Sequence, residues 1–526
     1  MARESNLHCL ICMRRVLAIV AVVVVLLAGL CVVGLQALAG GAGKDRIAAA
    51  LSKALGLPVT IGQLSISFFP TPALTAGHVQ IGAGQSGVGV QTLRVVPDLW
   101  SFLPGHTKTI QRVDLIGLAI EAGRDASGHW RFPVPPTQGG GQGGSGGNLN
   151  LDALRIRDGA IHVVDDSLHT TSAISAISAD IAMQNGVITA PDFTGRVGST
   201  VVKGSARYSP SGVALRLSSA SIGNADLPAL FALAGMRPYP GLSIEGRAPF
   251  DMTTQVGSDL HSLSVTGKAD FERLHLSSIT LDSVHAPFRL DKKIFTLDPM
   301  TFGVYGGREQ GRVEIDMAQA TPVYAIRTTV TGLDVNRALS ATTTMGGKLT
   351  GTAHLTADVK GSGTTQEVIE RSLSGTMAFG VAKGVVKNFA LLSAINQALG
   401  VAGESSKDIA FDSLTGTAAI GGGHAETKDL TLRAGDLTMT GQGTYGFDQS
   451  LNLKTTTQLS AARTRDLAQR AALVQKLETQ QGELAIPVTV TGTASAPKFG
   501  VDLGTLAKQH LPGAVLQQGL NKLLPH

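Results

Sequence analysis

The sequence DLTLRAGDLTMTGQGTYGFDQSLNLKTTTQL, which runs from Asp429 to Leu459, alternates between apolar and polar side chains. Because successive side chains of a β-strand point to opposite faces, this pattern predicts several successive strands with one apolar face and one wet face. The polar positions carry mainly Thr, Gln, Asn, Arg and Lys. The apolar positions are Leu430, Leu432, Leu437, Met439, Tyr445, Phe447, Leu451, Leu453 and Leu459.

A closed sandwich core produces the same alternation as an open groove, so the pattern alone leaves both arrangements open. The length of the chain favours the groove. About 25–35 strands, at the usual spacing of about 8–12 residues, would form a sheet roughly 120–170 Å long if it were continuous. Open sheets beyond about 10 strands curl or split, and an uncovered curled sheet keeps an apolar concave face. Since exposed apolar patches of that size are rarely idle, we expect the nine residues to line a groove for an apolar ligand.

The composition agrees with extended β-structure. The chain has 526 residues, of which 64 are Gly and only 16% are charged. A low fraction of charged residues, many turn residues and abundant Thr, Val, Leu and Ser are typical of strands joined by turns. The net charge of +5 is scattered, with no run of Lys and Arg. A nucleic-acid-binding surface needs a clustered basic stripe, so this pattern excludes nucleic acid as a partner.

Residues 16–38, VLAIVAVVVVLLAGLCVVGLQAL, carry no charge. As an α-helix they would reach roughly 34 Å, enough to cross a hydrocarbon core of about 30 Å. Lipid offers the backbone no hydrogen-bond partners, so such a span must be helical. The sequence therefore predicts one transmembrane helix as the membrane anchor, with Val16, Val25, Leu30 and Leu38 along its length.

The charges around this span predict its orientation. Arg3, Arg14 and Arg15 precede it, while Lys44 and Arg46 follow it. The positive-inside rule places the N-terminus in the cytoplasm and the body of the chain on the other side. A cleaved signal peptide is the alternative, but the apolar region exceeds the usual length of about 7–15 residues.

The three cysteines, Cys9, Cys12 and Cys31, all lie in the tail or the span. The first two resemble half of a zinc site, but four ligands are needed and no second pair follows. We therefore expect an exported body without disulfides, held together by burial and strand pairing.

A series of short motifs follows the span. They are FPTPAL at 69–74, a strand ending in PDL at 97–99, DASGHWRF at 125–132, RIRDG at 155–159, YGG at 305–307 with GRVEI at 311–315, SLSG at 372–375, FALL at 389–392 and IPVTVTGT at 486–493. Their order resembles the AsmA family of envelope proteins, which are anchored in the inner membrane of Gram-negative bacteria. His129 departs from the family pattern at its position.

The resemblance implies a long β-groove that carries phospholipid between membranes, as in the chorein-type bridge proteins. We therefore expect a mainly β fold, in which one N-terminal transmembrane helix is followed by a long curled, antiparallel-rich β-sheet groove with a few short helices. The expected helices cover residues 44–56, 388–399 and 461–479, where apolar residues recur at helical spacing.

This organisation predicts seven regions. They are a cytoplasmic tail (1–15), the transmembrane helix (16–38), an N-terminal AsmA-like periplasmic region (39–132), a Gly/Pro-rich linker (133–148), a middle β-rich region (149–345), a C-terminal AsmA-like β region with helical insertions (346–503) and an amphipathic tail (504–526).

The sequence offers no candidate active site. It contains no His-Glu-x-x-His motif, no phosphate-binding loop and no Cys/His cluster. GGSGG at 143–147 fits the nucleophile-elbow pattern formally, but it lies in the flexible linker. Asp165 and Asp166 occur in turn-like sequence and are expected to be solvated loop residues. We therefore expect no catalytic residue, no metal and no cofactor.

We interpret the chain as a non-catalytic protein of envelope biogenesis that binds or conducts phospholipid between the inner and outer membranes. Its expected partners are membrane phospholipid, the inner membrane and other envelope proteins. The alternative is an assembly or regulatory factor that influences outer-membrane protein targeting through protein partners. If the nine apolar residues line an open groove, Leu432→Asp should fold and fail in transport, with Thr431→Asp as a silent control.

Overall fold

The structure is a computed structural model. It describes residues 45, 47–49, 52, 57–82, 87–102, 109–126, 130–131, 150–233, 241–257, 263–319, 321–343, 345–387, 390–400, 408–470, 472–475, 477–479, 481–502 and 505. The predicted span with Val16, Val25, Leu30 and Leu38 and the linker at 133–148 lie outside the described residues, as does nearly all of the tail at 504–526. No helix within the described ranges is long and apolar enough to cross a membrane.

The chain divides into two compact units, residues 1–272 and residues 273–526, here called the first and second units. The boundary falls inside the predicted middle region. Strand β13 runs across it.

The first unit is built almost entirely from strands. They are β1 (Val59–Ser67), β2 (Ala73–Ile81), β3 (Val88–Pro97), β4 (Thr109–Arg124), β5 (Trp130–Arg131), β6 (Asn150–Asp165), β7 (Thr170–Gln184), β8 (Val187–Val197), β9 (Thr200–Ser209), β10 (Gly212–Ser219), β11 (Leu242–Glu245), β12 (Phe250–Gly257) and β13 (Leu263–Leu276).

Most neighbouring strands of this unit pair as antiparallel hairpins, beginning with β1–β2–β3–β4. The exception is β4, which pairs in parallel with β6, from Thr109 opposite Asn150 to Arg124 opposite Asp165. A parallel pair needs a crossover connection, and residues 125–149 supply its length. Beyond β6 the antiparallel order resumes through β7, β8, β9, β10, β12 and β13.

The core of the first unit is aliphatic and includes Ile81, Ile110 and Leu154, whose side chains are fully buried. Ile47 packs on it from the described residues between 45 and 52, which are helical as predicted. A second helix, α1 (Leu227–Leu233), was not apparent in the sequence pattern.

The end of the parallel pair buries an ion pair. Arg124 Nη1 lies 2.8 Å from Asp165 Oδ2, and the two side chains are 5% and 2% exposed. Asp165 Oδ1 also accepts hydrogen bonds from the backbone and hydroxyl of Ser167. The expectation that Asp165 is a solvated loop residue is therefore wrong. The turn-like sequence connects β6 to β7, and Asp165, at the start of this turn, points inward and contacts Arg124.

Asp226 fixes a second turn in the first unit. Its buried carboxylate accepts hydrogen bonds from the backbone N–H and hydroxyl groups of both Ser199 and Thr200, between β8 and β9. Burial raises the pKa of Asp226, but these donors outweigh it and leave the pKa below the ordinary value of 3.8.

The second unit is a succession of long strands. They are β14 (Ile279–Asp291), β15 (Ile294–Val304), β16 (Gly307–Asp316), β17 (Val323–Asp334), β18 (Thr352–Ser362), β19 (Ser374–Val386), β20 (Ile409–Gly421), β21 (His424–Ala434), β22 (Leu437–Gly446), β23 (Ser450–Leu459), β24 (Leu484–Thr493) and β25 (Ala496–Val501).

Each of these strands pairs antiparallel with the next one along the chain, from β14 to β25. No pairing joins β25 back to β14 among the described residues, so the sheet of this unit is open. The alternation between 429 and 459 gives β21, β22 and β23, as predicted.

Five short helices interrupt the described part of the second unit. They are α2 (Val335–Thr342), α3 (Gln366–Ser372), α4 (Leu391–Ala398), α5 (Ala461–Arg470) and α6 (Ala472–Gln475). The last three fall within the helices predicted at 388–399 and 461–479. The observed fold is therefore mainly β, with large open sheet structure and a few short helices.

Candidate functional site

One face of the second unit's sheet is apolar across many strands, and we call it the apolar face. Its side chains form rows perpendicular to the strands, because residues opposite each other in register point to the same side. One row joins Phe288, Leu297, Val313, Ile326 and Val359. The face thus extends the alternation seen at 429–459 back to β14.

The helices cover one part of this face. Leu391 and Ile395 of α4, together with Leu467 and Val474, are buried in one cluster with the inner residues of β19–β24. The covered strand residues include four of the predicted groove residues. These are Leu432, Leu437, Met439 and Leu459.

These four residues are therefore part of a closed core and do not line an open groove. Leu432 is 2% exposed and lies in register between Leu414 and Met439. Because Leu432 is enclosed, the premise for expecting Leu432→Asp to leave folding intact does not hold at this position, and we expect the variant to destabilise the second unit. The physical reason is that the insertions after β19 and β23 fold back as helices onto the strands beside them.

The other five predicted residues lie at the edge of the covered part. Leu430, Leu451 and Leu453 are half-buried on the strands, and Phe447 is half-buried in the turn after β22. Tyr445 is 39% exposed. Leu451 and Leu453 still pack against the closed cluster with their inner sides.

The open part of the apolar face lies on strands β14–β19, outside the closed cluster. Its large side chains are half-buried, although no second layer of strands covers them within the described part of this unit. The sequence pattern did not single out these residues as site candidates. They are Phe288, Leu297, Phe302, Val313, Ile326, Val330, Leu355, Val359 and Phe379.

A single carboxyl group interrupts the open part. Glu309 stands in register between Phe302 and Val330 and is 3% exposed. Thr328 Oγ1 donates a 2.8 Å hydrogen bond to Glu309 Oε1, while Oε2 is buried without a partner. Burial raises the pKa of Glu309 above its ordinary value of 4.5, and the bond from Thr328 opposes the shift.

The neighbouring Gly311 makes room for this carboxyl. A Cβ at Gly311 would collide with Glu309 Oε1 and with the carbonyl oxygen of Arg327. The sequence carries a signal for this arrangement, because Glu309 occupies a position that alternation reserves for an apolar side chain. Tyr305, in the turn before β16, also has a buried hydroxyl without a partner, and burial raises its pKa.

The opposite, wet face carries paired charges. Arg327 Nε donates to Asp358 Oδ2 at 2.8 Å, and Arg312 contacts both Asp298 and Glu314. These pairs are largely exposed, so each contributes little to stability. The wet face also contains a hollow of about 920 Å³, where long arginine side chains rise around small residues such as Ala378.

Within the described ranges, no group of three or more His, Cys, Asp or Glu side chains could hold a metal ion. What the site offers chemically is an apolar surface with one weakly satisfied carboxyl. That arrangement suits contact with hydrocarbon.

Comparison with known protein families matches residues 249–430 to the AsmA family. This range runs from the last strands of the first unit into β21, so it contains the open part of the apolar face. The match falls largely on the middle of the chain, whereas most of the motifs that carry the resemblance lie nearer its ends. No curated protein and no solved structure matches the chain.

Proposed function

We propose that this chain, whose residues 249–430 match the AsmA family, conducts phospholipid between the inner and outer membranes along the apolar face of its second unit. A role in envelope biogenesis fits the family and the large open sheet in general terms. The finer proposal concerns the cargo and the surface that carries it.

The observation that supports it is the open part of the apolar face. Val330, Leu355 and Phe379 stand side by side in register on three strands, half-buried and outside the closed cluster. A soluble sheet would normally hide such a face under a second layer. An acyl chain lying across it would replace that layer.

The hydration cost of an acyl chain gives the scale of the stabilisation that this face could supply. Exposing an acyl chain of about 15 methylene groups to water costs on the order of 12 kcal/mol, at about 0.8 kcal/mol for each group. If the apolar face covers half of an acyl chain's surface, it lowers the free-energy cost of hydrating that chain by roughly half. Adjacent rows along β14–β19 would let a chain move from one row to the next without meeting a polar barrier, except at Glu309.

The rest of the proposal follows the sequence. Residues 16–38 would hold the chain in the inner membrane as a single-pass anchor, with the N-terminus in the cytoplasm and the body in the periplasm. The chain would act without catalysis and without a cofactor, in contact with phospholipid, the inner membrane and other envelope proteins. Each of these statements is open to direct test.

The experiment is a transfer assay. The full chain is reconstituted into donor vesicles that contain fluorescent phospholipid. The measured quantity is the rate at which the fluorescent phospholipid appears in tethered acceptor vesicles. We expect Leu355→Asp to abolish chain-dependent transfer, and Thr356→Asp, one residue away on the wet face, to leave it unchanged. Equal transfer by both variants would contradict the proposal and favour the assembly role through protein partners.

A further inference from the structure

Three aromatic side chains in the first unit stand far out from the surface. Phe69 is 88% exposed, Trp100 79% and Phe68 77%. They are the three most exposed large hydrophobic side chains in the described part of the chain, and the next, Val368, is 51% exposed. Single exposed apolar residues on a surface are normal, but three almost fully exposed aromatic side chains in one unit require an explanation.

The three residues lie at the same end of the sheet. Phe68 and Phe69 follow Ser67 in the turn from β1 to β2, where Ser67 pairs with Ala73. β3 reaches this end at Val95, opposite Leu74, and continues into the 3₁₀ turn Leu99–Phe102 that carries Trp100. Because neighbouring strands are about 4.8 Å apart, the two turns are separated by about 10 Å. We call Phe68, Phe69 and Trp100 the aromatic tip.

The aromatic tip is almost free of charge. Residues 67–73 and 98–102 contain one charged side chain, Asp98. Its Oδ1 accepts a 3.2 Å hydrogen bond from the backbone N–H of Trp100, and its carbonyl oxygen accepts one from Ser101. The carboxylate thus holds the turn that presents Trp100.

We propose that the aromatic tip inserts into the interface of the bilayer that holds the chain's own apolar segment. The inference goes beyond lipid conduction but rests on the proposed membrane anchor at residues 16–38. Aromatic rings concentrate at the level of the lipid headgroups, where an apolar body and a polar N–H can both be satisfied.

The chain has the reach that this requires. Six residues, 39–44, separate the apolar segment from the helical residues that begin at 45, and extended they span at most about 20 Å. Val59 N donates to Ser52 Oγ at 2.8 Å, so Ser52, which belongs to this helical stretch, lies beside the start of β1. β1 then covers about 30 Å before the tip.

The test uses Trp100 as its own reporter. The chain has two tryptophans, so Trp130→Phe leaves Trp100 as the sole source of indole emission. This full-length variant is reconstituted into liposomes with or without phospholipid brominated near the headgroup end of the acyl chains. We expect a blue-shifted emission that is lost in the brominated liposomes.

Matched variants distinguish insertion of the aromatic tip into the bilayer from mere proximity of Trp100 to it. Phe68→Ser with Phe69→Ser should reduce the quenching of Trp100, because the tip would lose two of its three rings. Val368→Ser, which removes another exposed apolar side chain in the second unit, should leave the quenching unchanged. Unaltered thermal unfolding of both variants would show that these exposed side chains carry no packing.

The outcomes are distinguishable. If the chain floats with liposomes and Trp100 is not quenched, the tip proposal is overturned and the anchor stands. If the chain does not float with liposomes, the proposed anchor fails and the tip proposal fails with it. Blue-shifted emission of Trp100 that the brominated phospholipid does not quench would indicate contact with another protein surface, and it would also overturn the proposal.

Discussion

Two leucine-to-aspartate substitutions on the apolar face should destabilise the second unit to very different extents. Leu432 lies under the helices and is 2% exposed, whereas Leu355 lies on the open part and is half-buried. At Leu432 the substitution forfeits about 1.5–3 kcal/mol of burial and adds several kcal/mol for enclosing an unpaired carboxyl. The sum exceeds about 4 kcal/mol, which is exceptional for a single substitution.

At Leu355 the new carboxylate can stay partly hydrated, because the leucine that it replaces is only half-buried and lies outside the closed cluster. The loss is the contact of the leucine with Val330 and Phe379, for which we expect about 1–2 kcal/mol. Backbone pairing on both sides of β18 is unaffected by the side chain. The variant should therefore fold and still repel acyl chains.

The assay is pulse proteolysis of the full chain in increasing urea, which reports the fraction unfolded at each concentration. We expect the midpoint of the second unit to fall far more for Leu432→Asp than for Leu355→Asp. Thr356→Asp, on the exposed wet face, serves as the control and should be close to the parent. If Leu355→Asp unfolds the unit as severely as Leu432→Asp, the face at β18 is covered and the argument for an open surface fails.

Three further substitutions test the buried carboxyl groups by the same assay. Glu309→Gln should stabilise the second unit at neutral pH and not below about pH 4.5. Because burial raises the pKa of Glu309 in the folded protein, the parent loses stability as pH rises and the buried carboxyl ionises, whereas the neutral glutamine does not. A gain that is equal at all pH values would contradict this. Asp226→Asn should cost about 1.5–3 kcal/mol above pH 3.8, and the difference should shrink as pH falls through the depressed pKa, where the parent loses the same stabilisation. Asp165→Asn should cost about 3–5 kcal/mol because it removes the negative charge that faces the buried guanidinium of Arg124, and a loss below about 1 kcal/mol would show that the pair is hydrated.

The strands were predictable because their signal is local. Alternation at 429–459 gives β21–β23 directly, since a residue's face depends only on its position in the strand. The helices at 391–398 and 461–470 were also visible as a change from period two to helical spacing. By contrast, α1 and α3 have seven residues each, too few to show a helical period.

The closed and open parts of the apolar face could not be separated from the sequence. Leu432 and Leu355 occur in equivalent alternating patterns, and only the packing of α4–α6 distinguishes them. Where an insertion folds back is a tertiary property, which no window of the sequence reports. Glu309 is different, because its charge at an apolar position marks it in the sequence itself.

The most direct test of the central claim is site-specific photo-crosslinking between the apolar face and phospholipid. A photoreactive amino acid replaces Leu355 in the full chain, and the variant is expressed in a bacterium whose phospholipids are radiolabelled. In the matched control, the same amino acid replaces Thr356. The account predicts that irradiation attaches labelled phospholipid to the chain from position 355 and not from position 356. Labelling that is absent at both positions, or equal at both, would contradict it.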